Sequence, residues 1–297
     1  MATSLPVELV GEIWRAAAEL FIETDHRTVL DIAASCTIGY HSATPVIYRT
    51  LLMKDGVTEL IMRVFSTEIS SVPTLSTPPA LRLCPLVKRL CSFKVPNEFN
   101  TEDLKHLTGL ETICDSLETF LLGPLSPTLR HFSTWTASWP QRLPSTLTHV
   151  SLYCYFITGG QAHYNQLKAY TLDTLPETVT HFALTFCYPF PQGTAVELSL
   201  LIPFVLAQNG MEIFTIWLFG DAAQELNYLQ LLRAIAALQL CDRHRVRLWR
   251  DMRSDFHPYS SDFVALVNTD VVAGRTLWTE SRPIVQEDLT AAMILNA

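Results

Sequence analysis

Apolar residues change their period along this chain, helical at first and strand-like later. Val7, Leu9, Val10, Ile13, Trp14, Ala17 and Leu20 recur at the spacing of one helix face. Pro6 suits the first turn of such a helix, and Glu8 and Glu12 complement its positive end. Glu23-Thr24-Asp25 should end it and cap a second helix, lined by Val29, Leu30, Ile32 and Ala33. Gly39 is expected to interrupt that helix, and a third short one should finish near Tyr48, followed by an extended Leu51-Leu52-Met53. A further helix is expected over 59–65, and the Ser-, Thr- and Pro-rich stretch 66–79 reads as a loop and the best internal boundary. A short helical unit of this kind hides its apolar faces poorly and needs a partner.

Beyond the boundary the chain repeats itself. Leu143-Pro144-Ser145-Thr146-Leu147-Thr148-His149-Val150-Ser151-Leu152 matches Leu175-Pro176-Glu177-Thr178-Val179-Thr180-His181-Phe182-Ala183-Leu184, and Ser126-Pro127-Thr128-Leu129-Arg130-His131-Phe132 is a weaker copy. Leu117, Phe120 and Leu122 fit the pattern, as do Ile213, Ile216 and Leu218. The starts at 117, 129, 147, 179 and 213 are too uneven for a regular repeat of about 20–29 residues, so the array is degenerate. Such units predict stacked short parallel strands, with alternate apolar residues in one core and the intervening ones on an exposed curved face. Helices are expected over 194–208, 221–240, 262–267 and 286–295, and a late strand over 244–249. The division that follows is 1–55 helical module, 56–80 helix and linker, and 81–297 repeat region.

Composition narrows the function classes. Of 297 residues 48% are hydrophobic and only 17% charged, which leaves apolar surface for a large core and for a partner. The net charge of −8 argues against general affinity for nucleic acid or an anionic membrane. The most apolar stretch, 198–207, is short and contains Pro203. Glu8 and Glu12 fall where the apolar core of a signal peptide would begin. Seven cysteines without a C-x-x-C pair suit buried thiols in a reducing compartment, so a cytoplasmic or nuclear location is expected.

Candidate chemistry is sparse. His131, His149 and His181 share one repeat position and could line up to hold zinc; the preferred reading is that Thr-His is how this repeat is spelled. Arg243, Arg245, Arg247, Arg250 and Arg253 could grip an anion, but are read first as a solvated strand edge. Trp135 and Trp139 could form a recognition patch, with a core-capping role preferred. Gly159-Gly160 lacks phosphate-loop spacing, and Cys187 lies too far along the strand from His181 to form a dyad. Neither G-x-S-x-G nor H-E-x-x-H occurs.

The two halves together resemble a known family. Leu5-Pro6-x-Glu8-Leu9 with Ile13, a second helix around 30–36 and a closing Pro45-x-x-Tyr48-Arg49-Thr50 resemble an F-box. The remainder resembles the irregular leucine-rich region of fungal F-box-like proteins, with L-P-x-T-L-T-H units, a late strand at 245–250 and Gly274-x-x-x-Trp278. The resemblance implies an α/β chain, an F-box-like helical unit followed by an irregular leucine-rich-repeat-like strand–helix solenoid. It implies a non-catalytic substrate receptor that joins a target protein to a cullin–RING (SCF-type) ubiquitin ligase through a Skp-type adaptor, with no cofactor and no metal. By position, Leu5, Pro6, Leu9, Ile13, Leu30 and Ile32 would contact the adaptor. The exposed strand face carrying His131, His149, Ser151, His181, Thr215 and Trp217 would meet the target. The alternatives are a protein-binding scaffold that no longer engages the adaptor, with the segment 5–13 folded back onto the repeats, and an enzyme on an α/β scaffold.

Overall fold

A computed structural model describes residues 5–22, 25–53, 84–92, 107–115, 127–134, 143–154, 165, 167–170, 173–186, 194–238, 242–251 and 277–294. The helix expected over 59–65, the loop 66–79, the unit at Leu117, the helix over 262–267, the pair Trp135 and Trp139, Gly159-Gly160, Cys187, Arg253 and Gly274 lie outside these residues.

Three helices open the chain: α1 (Val7–Phe21), α2 (His26–Ser35) and α3 (Thr37–Ile47). Asp25 caps α2, accepting from the backbone N–H of Arg27 and Thr28. The break between α2 and α3 falls at Cys36, not at Gly39. Cys36 takes an extended backbone and its Sγ accepts the Gly39 N–H at 3.3 Å, so it acts as the cap of α3. Gly39 is buried inside α3 for a different reason: a Cβ there would lie 2.2 Å from the Ile32 carbonyl oxygen. It is the point of closest approach between α2 and α3. Ala18, Val29, Ile32, Ala43 and Val46 form the core of this unit, with Trp14, Ala17, Ile22, Ala33 and Ile47 packed against it.

The described strands make one mixed α/β sheet. In chain order they are β1 (Thr50–Met53), β2 (Arg89–Ser92), β3 (Thr112–Asp115), β4 (His131–Thr134), β5 (His149–Cys154), β6 (His181–Phe186), β7 (Ile213–Phe219), β8 (Val246–Asp251) and β9 (Arg282–Pro283). Their spatial order is the chain order, parallel from β1 to β8, with β9 antiparallel to β8. The sheet therefore starts directly after the helical unit, at the Leu51-Leu52-Met53 run. A salt bridge of 2.8 Å from Arg49 to Glu19 ties the entry to β1 back to α1.

One backbone device recurs from strand to strand. The carbonyls of Arg49, Lys88, Glu111, Arg130, Thr148 and Thr180 each accept two successive N–H groups from the next strand's entry. Threonine hydroxyls repeat the step: Thr128 donates to Leu110 O, Thr148 to Arg130 O and Thr180 to Thr148 O. Uneven loop lengths thus feed an even ladder, in which His131, His149 and His181 are register partners.

On one sheet face Leu90, Ile113, Phe132, Val150, Phe182, Phe214 and Val246 form a continuous buried row. Leu147, Leu152, Val179 and Leu184 are buried with them, as the repeat pattern predicts. Helices α4 (Thr194–Leu206), α5 (Glu225–Ala237) and α7 (Gln286–Ile294) cover this face through Leu201, Val205, Leu231, Ile235 and Leu289. The short α6 (Leu277–Glu280) lies against β7. No helix of the described residues is long and apolar enough to cross a membrane.

Candidate functional site

The surface of the helical unit has an unusual polarity. On α1 the buried side is Trp14 and Ala18, while Leu9, Ile13 and Leu20 recur on the opposite side and are 45%, 53% and 70% exposed. Leu5 and Leu30 are also exposed, at 56% and 57%, and Pro6 is exposed with them. Five of the six expected adaptor contacts therefore face out. The sixth does not: Ile32 is buried in the helical core, because α2 turns this position toward α1 and α3 while Leu30 points away. Ile32 is corrected from a contact to a core residue.

The sheet face expected to meet a target is also corrected. His131, His149, Ser151, His181, Thr215 and Trp217 do share one face. But Ser151, Thr215 and Trp217 are buried, at 3%, 0% and 6% exposure, and the three histidines are half-buried. The face is dry because a second layer lies on it. The Trp278 ring of α6 meets His149 and His181 edge-on at centroid distances of 5.2 and 5.6 Å, and its carbonyl accepts from Arg247 Nη1. Trp217 and Trp249 stack on the same face at 4.4 Å. Parallel sheets are commonly covered on both faces, and this one follows that rule where the alternation pattern suggested otherwise.

The histidines form a ring stack. His131, His149 and His181 lie 4.1 Å apart at interplanar angles of 24° and 19°. Thr148 Oγ1 lies 2.9 Å from His149 Nδ1, and Thr180 Oγ1 lies 2.8 Å from His181 Nδ1. The direction of each Thr–His bond follows the ring's tautomer. Each hydroxyl also lies 3.3 Å from a carbonyl of the preceding strand. This is the physical reason for the Thr-His spelling: the threonine joins the strands and orients the ring. Near-parallel rings spread over three strands do not converge, and among the described residues no group of three or more His, Cys, Asp or Glu is placed to hold a metal ion.

Burial holds all three imidazoles neutral. His149 is pushed down to about 3, first by burial and then by His131 and His181 on either side. His131 is lowered by burial, Arg89 and His181, against an opposing pull from Glu111. His181 is lowered by burial and by Arg247, and Glu212 opposes this.

Arg245, Arg247 and Arg250 of the arginine cluster are partly buried, not a solvated edge. Arg245 donates to the carbonyls of Leu206, Met211 and Glu212 and pairs with Asp242. Arg250 donates to Ala223 O, pairs with Glu225 at 2.7 Å and lies over the Tyr228 ring. Both tie loops to the sheet. A cavity of about 400 Å³ beside β8 is lined by Tyr228, Leu248, Trp249, Arg250, Arg282 and Asp288, and a two-bond Arg282–Asp288 pair closes one wall. Cys114 and Cys154 are buried and Cys36 is exposed; all three are thiols, not disulfide halves.

Comparison with known proteins returned no matching family model, no matching curated protein and no matching solved structure.

Proposed function

We propose that the chain is an F-box-type substrate receptor, linking a target protein to a cullin–RING ubiquitin ligase through a Skp-type adaptor. The observation that carries this reading is the open apolar stripe of Leu5, Leu9 and Ile13, with Leu30 of α2 also exposed, on a helical unit that already has its own core. A monomer with no partner for these residues would leave a patch of this kind in water at a cost. Burying a Leu or Ile side chain contributes about 1.5–3 kcal/mol each, so these residues would supply the apolar centre of an adaptor interface whose rim must help offset the cost of association. The F-box resemblance supplies the partner's class, and the strand array after it supplies the platform for a target.

The mechanism is proximity. A receptor of this kind raises the effective concentration of its target near a charged ubiquitin carrier and supplies no reacting group itself. A cytoplasmic or nuclear location accompanies this role. The scaffold alternative places the 5–13 segment against the repeats, and the 56%, 45% and 53% exposure of Leu5, Leu9 and Ile13 weighs against it. The test is co-expression with a Skp-type adaptor and affinity capture of the full chain. Wild type should retain the adaptor, and a Leu9→Glu, Ile13→Glu variant with an unchanged circular dichroism spectrum should release it. Equal retention by both would reject this assignment of the stripe. No retention by wild type would reject the receptor role.

A further inference from the structure

Helix α4 carries more apolar residues than the core beneath it uses. Its 13 residues include a single charge, Glu197. Leu198, Leu201, Ile202 and Val205 fill the core against the sheet. The side turned away from the sheet is apolar too. Val196, Leu200 and Phe204 are 56%, 46% and 37% exposed, and Pro203 and Ala207 are exposed beside them. A helix in a surface layer ordinarily turns polar and charged residues to that side. At about 100° per residue these three side chains follow one another by about 40°. They form one stripe centred on Leu200, with Val196 and Phe204 about 6 Å toward either end.

The charges beside the stripe sit at opposite ends. Glu197 lies about 60° round the helix from Leu200, on the same flank as Phe204 but toward the helix N-terminus. Toward the C-terminal end the Lys168 ammonium sits 3.8 Å from the centre of the Phe204 ring. A two-fold axis beside Leu200, normal to the helix, would lay a second α4 antiparallel on the first. That operation keeps each flank on its own side and inverts height along the helix. Glu197 of each copy then comes beside the partner's Phe204 and the ammonium that covers it, while Leu200 meets the partner's Leu200. A parallel pair would instead set like charges at equal height.

We propose that the outer stripe of α4 is a self-association surface, on which a second copy of this chain docks antiparallel through Val196, Leu200 and Phe204, with Glu197 facing the partner's Lys168. Removal of the apolar side chains from water supplies the attraction, and the two Glu–Lys pairs select the orientation. A contact centred on three side chains per copy belongs to the transient class, below about 1,200 Å², so association follows protein concentration. The surface shares no residue with the adaptor stripe on α1.

The test is sedimentation velocity of the full chain over about a hundredfold range of concentration. Wild type should pass from one copy to two as concentration rises. Leu200→Glu should remain a single copy throughout, with an unchanged circular dichroism spectrum; if that variant fails to fold, Leu200→Gln decides. Glu197→Lys should weaken association about tenfold, by turning two attractive pairs into repulsive ones. Combining it with Lys168→Glu should recover most of the loss. Wild type that sediments as a single copy at every concentration would overturn the proposal. So would association retained by Leu200→Glu, or association lost in the Leu9→Glu, Ile13→Glu variant, which would move the contact to α1. Equal association of Glu197→Lys and wild type would overturn the antiparallel arrangement.

Discussion

Acid should weaken this protein through the histidine stack before its carboxylates titrate. The folded state holds His149 down to about 3, whereas an unfolded histidine titrates near 6.5. The lowered group contributes stability that is complete above pH 6.5. As pH falls below that value the unfolded chain binds a proton that the folded chain refuses, and stability drops until the folded pKa is reached. At 1.36 kcal/mol per unit, pH 5.0 corresponds to a loss of up to about 2 kcal/mol from this one ring. The ring is only half-buried, so solvent screening reduces this to about 1 kcal/mol. The groups around the stack are Arg89, Arg247, Glu111 and Glu212. His149→Phe keeps an aromatic ring between His131 and His181 but cannot charge. Urea unfolding at pH 7.5 and pH 5.0 should show wild type losing about 1 kcal/mol more than His149→Phe over that interval. Equal losses in the two proteins would refute the claim that the stacked imidazole is held neutral by the fold.

Three further substitutions probe the frame around the sites. Gly39→Ala drives a Cβ to 2.2 Å from a backbone oxygen of α2, and should cost the helical unit about 2 kcal/mol or more by denaturant titration. Asp25→Ala removes the α2 cap and should cost about 1 kcal/mol in the same assay. Leu147→Ala, at a fully buried position beneath β5, should cost about 2–5 kcal/mol, read from a thermal melt of the full chain.

The repeat was legible because two ten-residue segments share six identical positions, and each has a structural duty: leucine or valine fills the core, threonine bonds the preceding carbonyl, and histidine joins the stack. Strands β2 and β3 carry little of this signal. Arg89-Leu90-Cys91-Ser92 and Thr112-Ile113-Cys114-Asp115 are four residues long and lack the Thr-His pair, so only their apolar residues in register, Leu90 and Ile113, mark them. The break falls at Cys36 and not at Gly39 because here a thiol caps α3 and the glycine permits close packing, although glycine is the commoner helix interrupter.

The burial of the second sheet face has its own signal in the sequence. Ile213–Phe219 reads IFTIWLF and His181–Phe186 reads HFALTF, nearly continuous apolar runs instead of alternations. Such runs mark strands covered on both sides. The α1 stripe was legible for the opposite reason. Leu9, Ile13 and Leu20 are apolar residues at helical spacing on the side away from Trp14 and Ala18, more than one core face can use.

The central claim, that the outer stripe of α1 is a docking surface separate from the strand array, is tested most directly by hydrogen–deuterium exchange on the full chain with and without a purified Skp-type adaptor. Added adaptor should slow exchange in peptides covering α1 and the α2 segment around Leu30, and leave β5 and β6 unchanged. Unaltered exchange in α1 at saturating adaptor, or protection confined to the strands, would contradict it.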